Sequence, residues 1–407
     1  MATKRWTLVI GICLWVVVSV LPGCGGDSTP RDGDETNDAA EAEDAAGDVR
    51  EDAGDPGETP DGDVDAADVE ETGDDGMEPE AADGQDDDTA DAADTAPRVV
   101  SCSDEPPPGA DLPDPLPAYG GVACPTLAPG RNTILSTGVA REFLLVAPTA
   151  LDPAETLPLV FLWHWLGGEA GDFLEKGEVQ AAADGARFLA AIPEAKGDLL
   201  LKWPYMIVDL PARVDEEARF FDDMLACIAE QYHVNRSCVS SVGVSAGALW
   251  TSQLAPRRAG LLASFLSLSG GVGQDGDWIN PILPWFGSTR SMPAIVLWGG
   301  PTDFCGVTFS TTSRYLESAL DAEGHFYVEC IHNCSHAEPP LVPPPGESKY
   351  SMLWQFVLDH PFWLRAGESP YQVTGLPANF PEWCGIGGGS ATIRAGDCEG
   401  GLLGSCM

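Results

Sequence analysis

From residue 139 to about residue 361, apolar residues fall into short runs separated by polar and glycine-bearing turns. An alternating stretch, Arg141-Glu-Phe-Leu-Leu-Val-Ala147, precedes the continuous run Leu157-Pro-Leu-Val-Phe-Leu-Trp163, which leads into His164-Trp165-Leu166-Gly167-Gly168. Similar runs stand at 188–192, 239–242, 265–268, 294–298 and 326–329. A run apolar at every position is what a strand covered on both faces requires, as in a largely parallel sheet. Helix-like segments lie between them, at 216–231, 246–254, 312–322 and 351–358. Strands alternating with helices predict an α/β fold with a mostly parallel, doubly wound sheet. The core is expected over about 139–361. The Gly/Pro-rich tail, 362–407, is expected to form a disulfide-stapled lid or flank without chemistry of its own.

The first residues read differently. Lys4 and Arg5 precede an apolar run from Trp6 to Leu21, followed by Pro22-Gly23-Cys24. A basic start, a short apolar stretch and small residues before a break form an export signal. The run is short for a membrane span, which needs ~20 apolar residues. From Gly25 to Arg98 there are 29 acidic residues against Arg31, Arg50 and Arg98, a net of −26 out of the chain's −43. So little apolar surface cannot offset chain entropy, and 24–98 is expected to be a disordered, self-repelling tether. No loop of the Asp-x-Asp-x-Asp-Gly type with a closing Glu appears in it, so calcium binding is not indicated. The portion from Val99 onward is itself net negative, which argues against nucleic acid as a partner.

Residues 99–407 form one expected catalytic domain. Setting aside Cys13 and Cys24, that domain keeps ten cysteines, and an even count in an exported chain implies disulfides. Short loops suggest the pairs Cys102–Cys124 and Cys227–Cys238.

The sharpest chemical motif is Gly243-Val244-Ser245-Ala246-Gly247, directly after an apolar strand and before a helix. In such a nucleophile elbow the serine occupies a strained turn, and side chains in place of Gly243 and Gly247 would collide with the neighbouring strand and helix. A serine hydroxyl needs a histidine to remove its proton and an acid to orient that histidine. In this fold class the acid comes next in the chain and the histidine last. Asp303 fits the acid position, in the glycine loop after the 294–298 strand, with Asp275 and Asp277 as rivals. Of the late histidines, His325 begins a strand and His360 ends a helix, which suits structural work. His336 lies on a long loop past the last strand and is the expected base, with His332 as the alternative. Cys330, His332, Cys334 and His336 also admit a zinc reading, but structural zinc sites usually want a wider loop between ligand pairs, and no metal or other cofactor is expected.

The order of these pieces resembles the secreted polyhydroxybutyrate depolymerase and feruloyl esterase group of α/β-hydrolases over roughly 158–361. The resemblance rests on the loop His164-Trp165-Leu166-Gly167-Gly168, on Ile192-Pro193-Glu194 with Trp203 beyond it, and on Asp215-Glu216-Glu217. It continues through the elbow, the strand with Asp303, the loop with His336, and Trp354-Gln-Phe356-Val-Leu-Asp-His360-Pro361. It implies that backbone N–H groups of Trp165 or Leu166 and of Ala246 form an oxyanion hole. Two positions depart from the family pattern: Trp165 replaces a glycine, and Ser335 precedes His336 where glycine is usual. Leu21-Pro22-Gly23-Cys24 resembles a bacterial lipobox, which implies lipidation of Cys24. Gly25 after it implies the outer membrane.

The expected function is hydrolysis of a carboxylic ester, polymeric or small, by a Ser-His-Asp triad through an acyl-enzyme. Two alternatives stand beside it: a serine peptidase on the same fold, and a surface-binding lipoprotein without catalysis. Trp163, Trp165, Trp203, Trp250, Trp278 and Trp285 sit near predicted strand ends or loops, and of these only Trp165 is assigned to the site.

Overall fold

A computed structural model describes residues 100–398; the expected export signal, Cys24, the acidic tether and residues 399–407 lie outside them. Nine strands form one sheet: β1 (Gly130–Ser136), β2 (Val139–Val146), β3 (Leu157–Trp163), β4 (Leu189–Pro193), β5 (Val234–Val244), β6 (Ser264–Leu268), β7 (Ala294–Trp298), β8 (Tyr327–Ile331) and β9 (Cys384–Ile386). Their order across the sheet is β1-β2-β4-β3-β5-β6-β7-β8-β9. The six strands from β4 to β8 run parallel, and β1, β2 and β9 are antiparallel additions at the two edges.

The helices are α1 (Ala170–Lys176), α2 (Val179–Ala186), α3 (Pro211–Gln231), α4 (Ala246–Arg257), α5 (Phe309–Ala322), α6 (Ser351–Leu358) and α7 (Tyr371–Thr374). Alternation along the strands divides the core between two faces, because successive side chains point opposite ways. Leu159, Phe161 and Trp163 of β3 pack with α3, α4 and α5, while Val160 and Leu162 pack with α1, α2 and α6. Both faces are therefore covered, and β3, β4, β6, β7 and β8 are buried at every residue. Among the described residues no helix is long and apolar enough to cross a membrane.

The edges depart from the sequence expectation. β1 forms a hairpin with β2 through Thr137 and Gly138, both at positive φ, and its exposed positions alternate with buried ones. A single covered face leaves no continuous apolar run to read. β9 arises inside the expected loop tail, held to β8 where Cys330 and Cys384 are register partners and form a disulfide.

The expected pairs Cys102–Cys124 and Cys227–Cys238 are corrected by the structure. Cys102 bonds Cys238 and Cys124 bonds Cys227, with Cα separations of 5.9 and 5.3 Å. The leading segment lies against α3 and the start of β5 in reverse order. Its later residues meet the helix, where Gly120 N–H donates to Asp223 (2.7 Å) and Leu127 N–H to Gln231 (2.8 Å). Its beginning meets the strand, where Asn235 donates to the Cys102 carbonyl (2.7 Å). Each cysteine is thereby carried away from its neighbour in sequence. Cys334–Cys398 joins the histidine loop to the tail, and Cys305 is disulfide-bonded as well.

Candidate active site

Parallel strands bring the loops after β3, β5, β6, β7 and β8 to one edge of the sheet, where ligand sites of open α/β sheets form. β5 lies between β3 and β6 and ends at Val244. Ser245 then takes φ 55° and ψ −118°, a conformation that strains a residue with a side chain, before α4 begins at Ala246. The turn is held by the Ser245 N–H donating to the Leu268 carbonyl (2.9 Å). Only glycine fits on either side. A Cβ at Gly243 would lie 2.1 Å from the Gly247 carbonyl oxygen, and one at Gly247 would lie 2.0 Å from that of Trp163.

Three side chains meet at this turn. Ser245 Oγ is 2.9 Å from His336 Nε2, and His336 Nδ1 is 2.7 Å from Asp303 Oδ1. All three are buried. The second carboxylate oxygen of Asp303 accepts from Ser269 Oγ (2.8 Å) and from the Gly299 N–H (2.7 Å). The loops that carry Asp303 and His336 are also joined, through Ser335 N–H to the Gly299 carbonyl (3.1 Å) and Thr302 Oγ1 to Ser335 Oγ (2.8 Å). Phe309, the first residue of α5, stacks on the His336 ring.

The loop after β3 is pinned beside the serine. The Trp203 indole N–H donates to the His164 carbonyl (2.8 Å), and the His164 ring donates from Nδ1 to the Trp165 carbonyl (2.9 Å). Burial pushes the His164 pKa down, which keeps the ring neutral with its proton on Nδ1. Among the described residues, the backbone N–H groups of Trp165, Leu166 and Ala246 make no hydrogen bond, so all three stay available as donors.

The other candidates are placed elsewhere. His332 accepts the Cys334 N–H on Nδ1 (3.2 Å), and burial pushes it down to about 4, so it is neutral and structural. His325 packs against the Met292 backbone, and His360 bonds the Phe356 carbonyl and Ser369. Asp277 organises its own turn by accepting from Ile279 and Asn280, and Asp275 is exposed. Cys330 and Cys334 spend their sulfurs on disulfides. Trp163, Trp203 and Trp250 are core residues, and Trp278 is 73% exposed. Sequence reasoning missed Ser269, Phe309 and the clamp of His164 and Trp203 on the loop. The small-residue stretch Ser269-Gly270-Gly271 after β6 was the available signal for the first of these.

No family model matches the chain, and no curated protein matches it. Among solved structures, native pOPH aligns with a TM-score of 0.53 at 15% identity, covering 65% of this chain and 97% of that one. A pOPH variant in complex with DMSO aligns with a TM-score of 0.53 at 15% identity, covering 65% and 96%. A pOPH variant in complex with pNPB gives 0.52 at 15% identity, covering 65% and 96%. At such identities the likeness is one of fold, and together with the strand order and the elbow after β5 it makes this an α/β-hydrolase fold with a mostly parallel sheet.

Proposed function

We propose that this protein is a serine hydrolase of carboxylic esters, with Ser245 as nucleophile, His336 as general base and Asp303 as the residue that orients it. His336 takes the Ser245 proton as Oγ attacks the ester carbonyl, and the new oxyanion accepts N–H bonds from Ala246 and from Trp165 or Leu166. Collapse of the tetrahedral intermediate breaks the bond to the alcohol, which leaves with the proton held by His336. Water, deprotonated by the same histidine, then attacks the acyl-enzyme and releases the acid. The observation that carries this reading is the bridging position of His336, within 2.9 Å of the serine and 2.7 Å of the carboxylate. The family resemblance and the pOPH likeness support it. The reaction needs no cofactor.

The ester would be met outside the cytoplasm. The disulfides call for an oxidising compartment. Leu21-Pro22-Gly23-Cys24 supports export with a lipid on Cys24, and so attachment at the outer membrane or cell surface.

The test is hydrolysis of chromogenic esters by the full chain produced with its disulfides formed, beside Ser245→Ala. Activity that disappears in the variant is expected. A folded, oxidised protein inactive on every ester, or a Ser245→Ala variant as active as its parent, would overturn the reading.

A further inference from the structure

His332 is a fully buried histidine that the proposed reaction does not use. Its Nδ1 accepts the N–H of Cys334, two residues further along the chain (3.2 Å). Burial pushes its pKa down to about 4, so the ring is neutral and carries its proton on Nε2. That Nε2–H is enclosed and has no hydrogen-bond partner among the described residues. An unpaired buried donor costs ~1–3 kcal/mol. A phenylalanine would fill the same space beside Trp383 without that cost, so ring volume alone does not account for a histidine here. What the imidazole supplies and an apolar ring does not is the acceptor on Nδ1.

The acceptor stands where the chain is strained. Ser335, between Cys334 and His336, has φ 58°, in the left-handed region that favours glycine. A residue held there persists only where its surroundings over-determine it. On the side of the acid loop Ser335 is held by the Gly299 carbonyl and by Thr302. On the other side the turn is held by His332, whose own N–H donates to the Trp298 carbonyl (3.0 Å) while its ring reaches forward to Cys334. The two loops touch here: a Cβ at Gly299 would lie 1.8 Å from the Ser335 carbonyl oxygen and 3.1 Å from His332 Cε1. Building on the serine esterase reading, we propose that His332 is a positioning residue, which caps the Cys334 N–H and so fixes the turn through Ser335 that presents His336 to Ser245. The arrangement is an Asx turn in which an imidazole nitrogen takes the place of the side-chain oxygen, since both acceptors are bonded to Cγ. His332 acts through His336 and touches no substrate.

The experiment compares His332→Phe and His332→Asn in the full, oxidised chain, by kcat and KM on one chromogenic ester well below the Tm of each variant. Phenylalanine keeps the ring and gives up the acceptor; asparagine gives up the ring and keeps an acceptor for the N–H two residues on. Misplacing a catalytic group by about 1 Å costs up to ~100-fold. His332→Phe is therefore expected to lower kcat about 10–100-fold with KM unchanged. His332→Asn is expected to retain most of kcat although it empties part of the core and lowers the Tm. Each variant decides by itself. A phenylalanine variant with the kcat of its parent overturns the positioning role and leaves the esterase standing. So does a folded asparagine variant whose kcat falls about tenfold or more. Absence of any Ser245-dependent hydrolysis in the parent overturns both.

Discussion

The phenyl ring of Phe309 lies parallel to the imidazole of His336, with centroids 4.3 Å apart and planes inclined by 9°. The stack covers one face of the imidazole and leaves its edge to Ser245 and Asp303. Aromatic pairs of this kind are worth ~0.5–1.5 kcal/mol, so Phe309→Leu is expected to lower kcat about 2–10-fold with little change in KM. Phe309→Tyr keeps the ring and should retain activity. Steady-state kinetics on one good ester decide it, and an unaltered kcat in the leucine variant would show that the stack does not orient the base.

Ser269 acts one contact further out, through the carboxylate. Removing its hydroxyl leaves Asp303 Oδ2 with the Gly299 N–H alone. Hydrogen bonds to a charged group are worth ~1.5–3 kcal/mol, so Ser269→Ala is expected to cost about 10–100-fold in kcat. Asp303→Asn, which presents the wrong partner to the imidazole, should cost ~10⁴-fold. Equal losses from the two variants would mean that Ser269 does more than hold the acid.

Among the described pairs, Cys102–Cys238 and Cys124–Cys227 fasten the leading segment to the scaffold, and Cys334–Cys398 lies beside the site. Cys334 lies two residues before His336, and its bridge to Cys398 ties down that loop. Replacing either Cys334–Cys398 or Cys102–Cys238 by serine pairs should destabilise the fold by ~2–5 kcal/mol. Well below its Tm, however, only the Cys334/Cys398 variant is expected to lose turnover. Activity compared with Tm for both double variants tests this; similar residual kcat in the two would refute it.

Glu317 gives stability a slope with pH. It is buried on α5, faced by Glu329 of β8, Asp321 of its own helix and Arg314, and it accepts the Trp298 indole N–H (3.1 Å). Burial, followed by Glu329, pushes its carboxyl from 4.5 up to about 8. The folded state therefore holds a proton that the unfolded chain releases. Stability from this group falls as pH rises from about 4.5 to about 8 and levels off above that. Thermal melts from pH 5 to 9 should show the decline in the wild type and a flatter curve in Glu317→Gln. Parallel curves would place the proton elsewhere.

What could be read from the sequence follows from where the information is local. The interior strands announce themselves because both faces are covered, so that Leu157–Trp163 is apolar almost without interruption. Ser245, Asp303 and His336 are legible as a set because the elbow motif and the chain order restrict the choice before any contact is known. α1 and α2 pass unseen because they are seven and eight residues long, too short for an apolar periodicity to repeat. α3 begins five residues before its apolar periodicity does, with Pro211 as its first residue. Ser269 and Phe309 touch Asp303 and His336 across separate loops, which no spacing within one segment reveals. The disulfide pairs came out crossed for the same reason: loop length is a local quantity, and the path of residues 100–127 over α3 and β5 is not.

That path determines how the domain bears load. The segment beginning at Val100 leads the described residues, and its first cysteine is bonded to Cys238 within β5, the strand that leads to Ser245. A pull on that end passes at Cys102 into the middle of the sheet. The Cys124–Cys227 bond anchors the remainder of the segment to α3, so it cannot peel away. Tension along the chain is delivered to a strand flanked by parallel neighbours on both sides, where separation requires shearing ladders together rather than opening them one bond at a time. A fold moored in this way can be pulled from its leading segment while the strand that leads to Ser245 stays seated.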